Sequence, residues 1–314
     1  MLESHRLIQT SDANEIEAAW IEHSRGSRVD MSGAGAESEF VANLARFDDG
    51  SVTYCRYGLP ISVSFAAADY TRLIYQMCDS SAITLEGATS DIEASGAGCL
   101  IPAGRLWHAR HADQIEDLAV RIPTATLQRK LSAYLGSDRQ ALDLLQPAAA
   151  DPAGAMDLRQ RIVDFATALD DAEPQFLPNL VTTFLDDISL RMLTCFSQEV
   201  LAAERTPPAL SAVQLGRAEE YLVEHFAEPL TLETLADVCG VSARSVIWYF
   251  QVKHGFTPWQ YLERARVQIA HAQLRVLSGH TVESVALHCG FPSVAALERS
   301  YQQQFGVPPT QRPA

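Results

Sequence analysis

The sequence predicts an α+β chain in two parts: a β-barrel or sandwich followed by a helical segment, then an all-α domain. Three observations carry this. Up to Pro123, short runs such as "ISVSF" and "TRLIYQMC" alternate β-branched and aromatic residues between Gly, Pro, Asp and Ser clusters, as the strands of an antiparallel β domain do. Beyond Pro123 the apolar residues recur at i, i+3, i+4, the period of a helix. Finally, "TLETLADVCGV" (231–241) returns as "TVESVALHCGF" (281–291), with Thr231, Glu233, Ala236, Cys239 and Gly240 repeated as Thr281, Glu283, Ala286, Cys289 and Gly290.

In the front part, "SVTYCRYG", "ISVSF", "TRLIYQMC", "AITLEG", "SDIEAS" and "LAVRIP" read as strands and place the barrel at about 40–123. Helices fill about 124–204: "TLQRKLSAYLG", "AMDLRQRIVDFATAL" and "PNLVTTFLDDISLRMLTCFSQEVLAAE". The proline-bearing "ERTPPALS" (204–211) marks the boundary, because proline stops a helix. The chain thus divides into residues 1–204, a linker at 205–210, and an all-helical domain at 211–314.

Each repeat has the parts of a helix-turn-helix. Thr231 can cap a first helix through its hydroxyl, and Leu232, Leu235, Ala236 and Val238 give that helix one apolar face. Small Ala236 lets a second helix cross closely. Gly240 follows where a left-handed residue costs least, and Ser242 caps the second helix, "SARSVIWYFQVKHG". The motifs span 231–253 and 281–304. Between them, Thr257 caps a helix with Pro258 at its first position and no breaker before Ser278-Gly279. Twenty helical residues span about 30 Å, close to the ~34 Å between successive major-groove faces on one side of DNA. The spacing therefore suits two recognition helices held one DNA turn apart.

Bulk properties narrow the function. With 314 residues, 47% hydrophobic and 20% charged, the chain has the composition of an ordinary folded protein. Its N-terminal stretch lacks a secretory signal, and no apolar run approaches the ~18 residues of a membrane helix. The reading is a cytoplasmic protein without a membrane partner. Six scattered cysteines without CxxC argue for single buried thiols rather than zinc or disulfides. The net charge of −15 is uneven. Residues 1–209 hold 16 Lys+Arg against 30 Asp+Glu, whereas residues 210–314 hold 8 against 9 and five of the nine histidines. The near-neutral rear lacks a strongly basic footprint, which weighs against nucleic-acid binding.

The pieces "PLTLETLADVCGVSARSVIWYF", "KHGFTPWQYLERARVQIAHAQL" and "TVESVALHCGF…FGVPP" together resemble the DNA-binding domain of the AraC/XylS family of bacterial transcription regulators, over about 100 residues. In front, "GAGCLIPAGRLWHAR" is similar to the second cupin motif. Gly96, Pro102 and Gly104 fit, Trp107 stands where a histidine is usual, and His108 comes one later. The first cupin motif is absent. His108 and His111, three apart in a strand, point to opposite faces, so no metal and no other cofactor is expected. This part looks like the cupin-like sensing domain that precedes the DNA-binding domain in such regulators.

The resemblance implies an effector-responsive activator that reads two successive major grooves of double-stranded DNA, dimerises through the helices at 155–204, and acts beside RNA polymerase. The candidate DNA contacts are Ser242, Arg244, Ser245, Ile247 and Trp248 in the first copy, and Ser293, Val294, Ala296 and Arg299 in the second. Val294 and Ala296 are taken as exposed. With so few hydrogen-bonding groups, the second copy is expected to contribute shape and phosphate contact more than base reading. Tyr54, Arg56, Tyr75, Trp107 and His108 are the candidates for binding a small effector, with Arg56 suited to a carboxylate. No catalytic constellation is present. Two rivals stay open: a cupin metal enzyme with a helical appendage, and an interaction scaffold whose recognition helices have lost DNA.

Overall fold

The computed structural model describes residues 1–24, 26–30, 39–47, 50–58, 60–77, 82–85, 92–93, 98–111, 115–136, 144–204, 212–276 and 281–311. The expected linker at 205–210, Gly96 of the cupin-like motif and the Ser278-Gly279 break lie outside the described residues. The chain forms two compact units, interleaved in sequence. One comprises Met1–Arg129, Arg139–Asp171 and Ile188–Ala203, the other Lys130–Asp138, Ala172–Asp187 and Glu204–Ala314.

The front unit is built on two antiparallel sheets. The first runs in the order β1 (Arg6–Thr10), β3 (Phe40–Phe47), β4 (Gly50–Tyr57), β11 (Ile115–Pro123), β6 (Tyr70–Gln76) and β9 (Cys99–Ile101). The second runs β2 (Gly26–Asp30), β5 (Ile61–Phe65), β10 (Trp107–His111), β7 (Ala82–Leu85) and β8 (Ile92–Glu93). Alternation decides which side chains go inward. In β5, Ile61, Val63 and Phe65 are buried while Ser62 and Ser64 are half-buried. Inward residues of both sheets share one core, including Phe40, Cys55, Tyr57, Phe65, Ile74, Ile83, Trp107 and Ile115. Helix α1 (Ala13–Ser24) adds Ile16 and Trp20 to it.

Strand β11 is buried along nearly its whole length. It lies between β4 and β6, with Asp117 opposite both Cys55 and Gln76, and Arg121 opposite both Ser51 and Arg72. Helix α2 (Thr124–Leu135) follows directly, and α3 (Pro152–Asp170) covers the outer face of the first sheet. There the Tyr75 hydroxyl donates to the Ala155 carbonyl at 2.8 Å, and Phe47 meets Phe165 edge-on at 5.7 Å.

After the short helix α5 (Gln198–Glu204), the rear unit contains α6 (Ala212–Glu224), α7 (Leu232–Cys239), α8 (Ala243–His254), α9 (Pro258–Val276), α10 (Val282–His288) and α11 (Val294–Phe305). Capping residues sit where the sequence places them. Thr231 and Thr281 accept from Thr234 and Ser284, and Ser242 and Ser293 accept from Ser245 and Ala296. Thr257 and Gln260 satisfy each other's backbone amides, the reciprocal arrangement of a capping box. Two cores result, one per repeat. The first joins Leu222, Leu235, Cys239, Val246 and Phe250. The second joins Val285, Ala286, Cys289, Leu297 and Tyr301. Helix α9 contributes Leu262 to the first and Val267, Ala270 and Leu274 to the second, which makes it the shared strut.

A buried charge cluster fixes the first repeat to two further segments of the same unit. Lys130 on α2 donates to Asp186 at 2.6 Å and to Glu233 at 2.8 Å. Asp186 belongs to α4 (Leu177–Cys195) and also accepts from the Leu232 amide at the start of α7. Lys130 and Asp186 are 8% and 2% exposed. One ammonium thus serves two carboxylates away from water, and removing one partner of a buried pair typically costs about 3–5 kcal/mol. Lys130→Met should therefore destabilise the chain by that order in denaturant unfolding, while Lys130→Arg should recover most of the loss. A Lys130→Met variant as stable as wild type would contradict the reading.

The turn glycines give a second test. Gly255 and Gly290 both adopt positive φ, at 77° and 74°. A Cβ on Gly255 would meet nothing within 4 Å, whereas one on Gly290 would lie 2.6 Å from the Ala227 carbonyl oxygen. Gly255→Ala should cost only the left-handed penalty of about 1–2 kcal/mol. Gly290→Ala should cost clearly more, since a backbone carbonyl must move, and equal losses of stability would refute this.

Candidate functional site

The outward faces of α8 and α11 follow from their caps. The first helices of the repeats, α7 and α10, are offset by fifty residues, Thr231 matching Thr281. The second helices are offset by fifty-one, because Phe291-Pro292 stands where the first copy has Val241 alone, and Ser293 therefore matches Ser242. The inward positions then agree: Ser245, Val246 and Phe250 with Ala296, Leu297 and Tyr301. The outward positions are Arg244, Ile247, Trp248 and Gln251 with Ala295, Glu298, Arg299 and Gln302.

This register corrects the site expected from sequence. Arg244, Ile247 and Trp248 lie on the outward face, each half-buried. Ser245 is 6% exposed and hydrogen-bonded to the cap Ser242, so it faces the core. Ser242 and Ser293 spend their hydroxyls on helix amides. Val294 and Ala296 are not exposed: both pack on the second core. Arg299 is exposed as expected. Gln251, Glu298 and Gln302, which the sequence reading did not name, are also exposed on these faces. The extra turn residue Pro292 was the signal that would have shifted the reading by one position. With it, the second helix presents an acceptor, a guanidinium and an amide, the groups that read base edges. Arg244 Nη2 is buried without a hydrogen-bond partner.

Several other cations of this unit are committed to structure. Arg266 donates from Nε to the Phe226 carbonyl at 2.6 Å and from Nη2 to that of Glu228 at 3.1 Å, and burial pulls its pKa down to about 10. Lys253, His254 and the Tyr249 hydroxyl converge on Glu219 at 2.6, 2.9 and 2.9 Å. Burial opposes ionisation of Glu219, yet these hydrogen bonds hold its carboxyl below the usual range. The cluster fastens the far end of α8 to α6. His271 Nδ1 does the same for the second copy, 2.7 Å from the Tyr301 hydroxyl.

In the front unit the core encloses a narrow cavity of about 20 Å³. Trp107 lines it, 8% exposed and stacked on Phe65 at 3.9 Å. The other four effector candidates face elsewhere. Arg56 is on the outer face of β4, half-exposed and paired with Glu39 at 3.2 Å. Tyr54 shares that face, with Glu116 beside its hydroxyl, and Tyr75 is buried against α3. His108 points away, within 3.0 Å of Ser64 Oγ. The opposed faces expected for His108 and His111 are seen. His111 turns inward, stacks on Tyr57 at 4.2 Å, and burial lowers its pKa to about 4.

The polar groups that do line the cavity are Arg72, Arg121, Asp117, His111 and Thr53. Burial lifts Asp117 to about 7, against a hydrogen bond with Tyr57 and the nearby guanidiniums of Arg72 and Arg121. Burial, aided by Arg72, lowers Arg121 to about 9. The alternation in "YTRLIYQ" and "IEDLAVRIP" was the available signal for these residues, since it sets Arg72 with Ile74 and Arg121 with Ala119. Among the described residues, no group of three or more His, Cys, Asp or Glu side chains is placed to hold a metal ion, and no helix is long and apolar enough to cross a membrane.

Comparison with known proteins matches both units. An AraC-binding-like domain covers residues 24–182, and a helix-turn-helix domain covers residues 235–312. The probable thc operon regulatory protein of Rhodococcus erythropolis is 28% identical over 205 residues, 62% of this chain and 60% of that protein. The transcriptional activator RhaS of Enterobacter sp. (strain 638) is 30% identical over 155 residues, 48% of this chain and 51% of that one. The chain thus spans between half and two thirds of the length of these relatives. A solved probable AraC family regulator from Rhodopseudomonas palustris is 31% identical, covering 32% of this chain and 94% of its own, with a TM-score of 0.31. With the AraC-binding-like match extending over half of its length and the paired helix-turn-helix motifs behind it, the chain belongs to the AraC family of transcription regulators.

Proposed function

We propose that the chain is an effector-responsive activator that reads double-stranded DNA with α8 and α11 in successive major grooves. The observation that carries this is the matched pair of outward faces, held by one shared strut and set in register by the two cap serines. Arg244, Arg299, Glu298 and Gln302 supply donors and acceptors for base edges, which favours DNA reading over a scaffold role. The front cavity receives a small molecule, and the helices at 155–204 supply a homodimer contact. The inward turn of His111 away from His108 favours a sensing domain over a metal enzyme, so no catalytic role is assigned. The site of action is the cytoplasm, beside RNA polymerase. RhaS is named a transcriptional activator, which supports the sign of regulation.

Mapping the genomic DNA bound by the full chain tests the reading. The bound sites should contain two blocks about 34 Å apart, one helical turn, for each protomer. Salt dependence gives a second check. Leaving aside Lys253, which Glu219 holds, the exposed or outward-facing cations described on the rear unit are Arg217, Arg244, Arg264, Arg275 and Arg299. At about 0.9 counterions released per phosphate contact, the slope of log affinity against log salt should be no steeper than about −5 per protomer. A single uninterrupted block, or a much steeper slope, would contradict this arrangement.

A further inference from the structure

The interior of the front unit contains an electrostatic arrangement that folding alone does not favour. Arg72 of β6 and Arg121 of β11 are direct cross-strand partners. Both point inward, at 4% and 8% exposed, and both line the cavity. Like charges directly opposite one another destabilise a sheet, and the cost grows away from water. Arg72 donates from Nη2 to the Tyr70 hydroxyl at 3.1 Å, while its Nε has no hydrogen-bond partner. Its guanidinium lies 4.8 Å from the centre of the Trp107 ring and 4.9 Å from that of Phe65. The acidic group on the same wall is Asp117, which sits beside Tyr57 and Cys55, and His111 stacks on Tyr57.

We infer that this cavity binds a small organic carboxylate, its charged group between Arg72 and Arg121 and its apolar body against Trp107, Phe65 and Trp20. A carboxylate there relieves the repulsion between the guanidiniums and accepts charge-assisted hydrogen bonds, among them one from Arg72 Nε. The aromatic rings provide a flat apolar surface for the rest of the molecule. At about 20 Å³ the cavity favours the shortest acids. This inference rests on the reading of the front unit as the effector-binding part, and it moves recognition from the exposed Arg56 to the buried pair.

The test uses the full chain. Acetate, benzoate and 3-phenylpropanoate are titrated calorimetrically at neutral pH, beside acetamide, benzamide and 3-phenylpropanamide as their uncharged counterparts. At least one carboxylate should bind, and at least about tenfold more tightly than its uncharged counterpart. Arg72→Gln should abolish that preference, whereas Arg56→Gln should keep it. Arg72→Lys retains a positive charge and should keep part of it, and the wild-type comparison of acid with amide stands even where a variant fails to fold. Binding of none of the acids, equal binding of acid and amide, or an unchanged preference in folded Arg72→Gln would overturn the inference and leave the DNA reading intact. If carboxylates bind as stated but DNA affinity does not change, the site stands and the effector-response reading fails.

Discussion

The rear unit depends on how closely two helices can cross within each repeat. Ala236 and Ala286 are buried at the crossing, and Gly240 and Gly290 make the turn in the left-handed region. At Gly290 the backbone of Ala227 fills the space a Cβ would need. A capped helix therefore leaves each turn in one direction only. The direction determines which residues face the core and which face outward. The proposed base reading follows from this, because a helix rotated by one residue presents a different set of side chains.

The two units handle buried charge in contrasting ways. In the rear unit Lys130 lies between Asp186 and Glu233, and the cluster anchors the first turn of α7. In the front unit two guanidiniums and one carboxylate face the cavity. A buried charge cluster contributes little net stability compared with apolar packing, but it is intolerant of losing a member. The rear cluster is closed by hydrogen bonds and acts as a fixed joint. The front cluster retains a guanidinium nitrogen, Arg72 Nε, without a hydrogen-bond partner, and the proposed carboxylate would supply one.

Most of the architecture was legible because it rests on local rules. The β-to-helix change at Pro123, the four caps, the turn glycines and the strut after Thr257 all sit where spacing and capping chemistry place them. Side-chain destinations were harder. In the second repeat, one additional turn residue moved the cap to Ser293 and turned Val294 and Ala296 against the core, partly buried. In the front unit, Tyr54, Arg56 and His108 fell on the outer face of their strands, because a strand's in-out assignment reverses with every residue. Arg72 and Arg121 looked like surface cations in sequence. Only the cross-strand register, which depends on residues far apart in the chain, brings them together inside.

On the proposed function, the two repeats are equivalent readers, each with its own outward face. The most direct test of this is a full single-base substitution series of a bound site, measured with wild type, Arg244→Ala and Arg299→Ala. Wild type should be stringent in both blocks. Arg244→Ala should relax specificity in one block and Arg299→Ala in the other, each by about 1–3 kcal/mol at the affected base pair. If Arg299→Ala weakens binding evenly at every sequence while both blocks keep their preferences, the second repeat holds phosphate only and the equivalence is wrong.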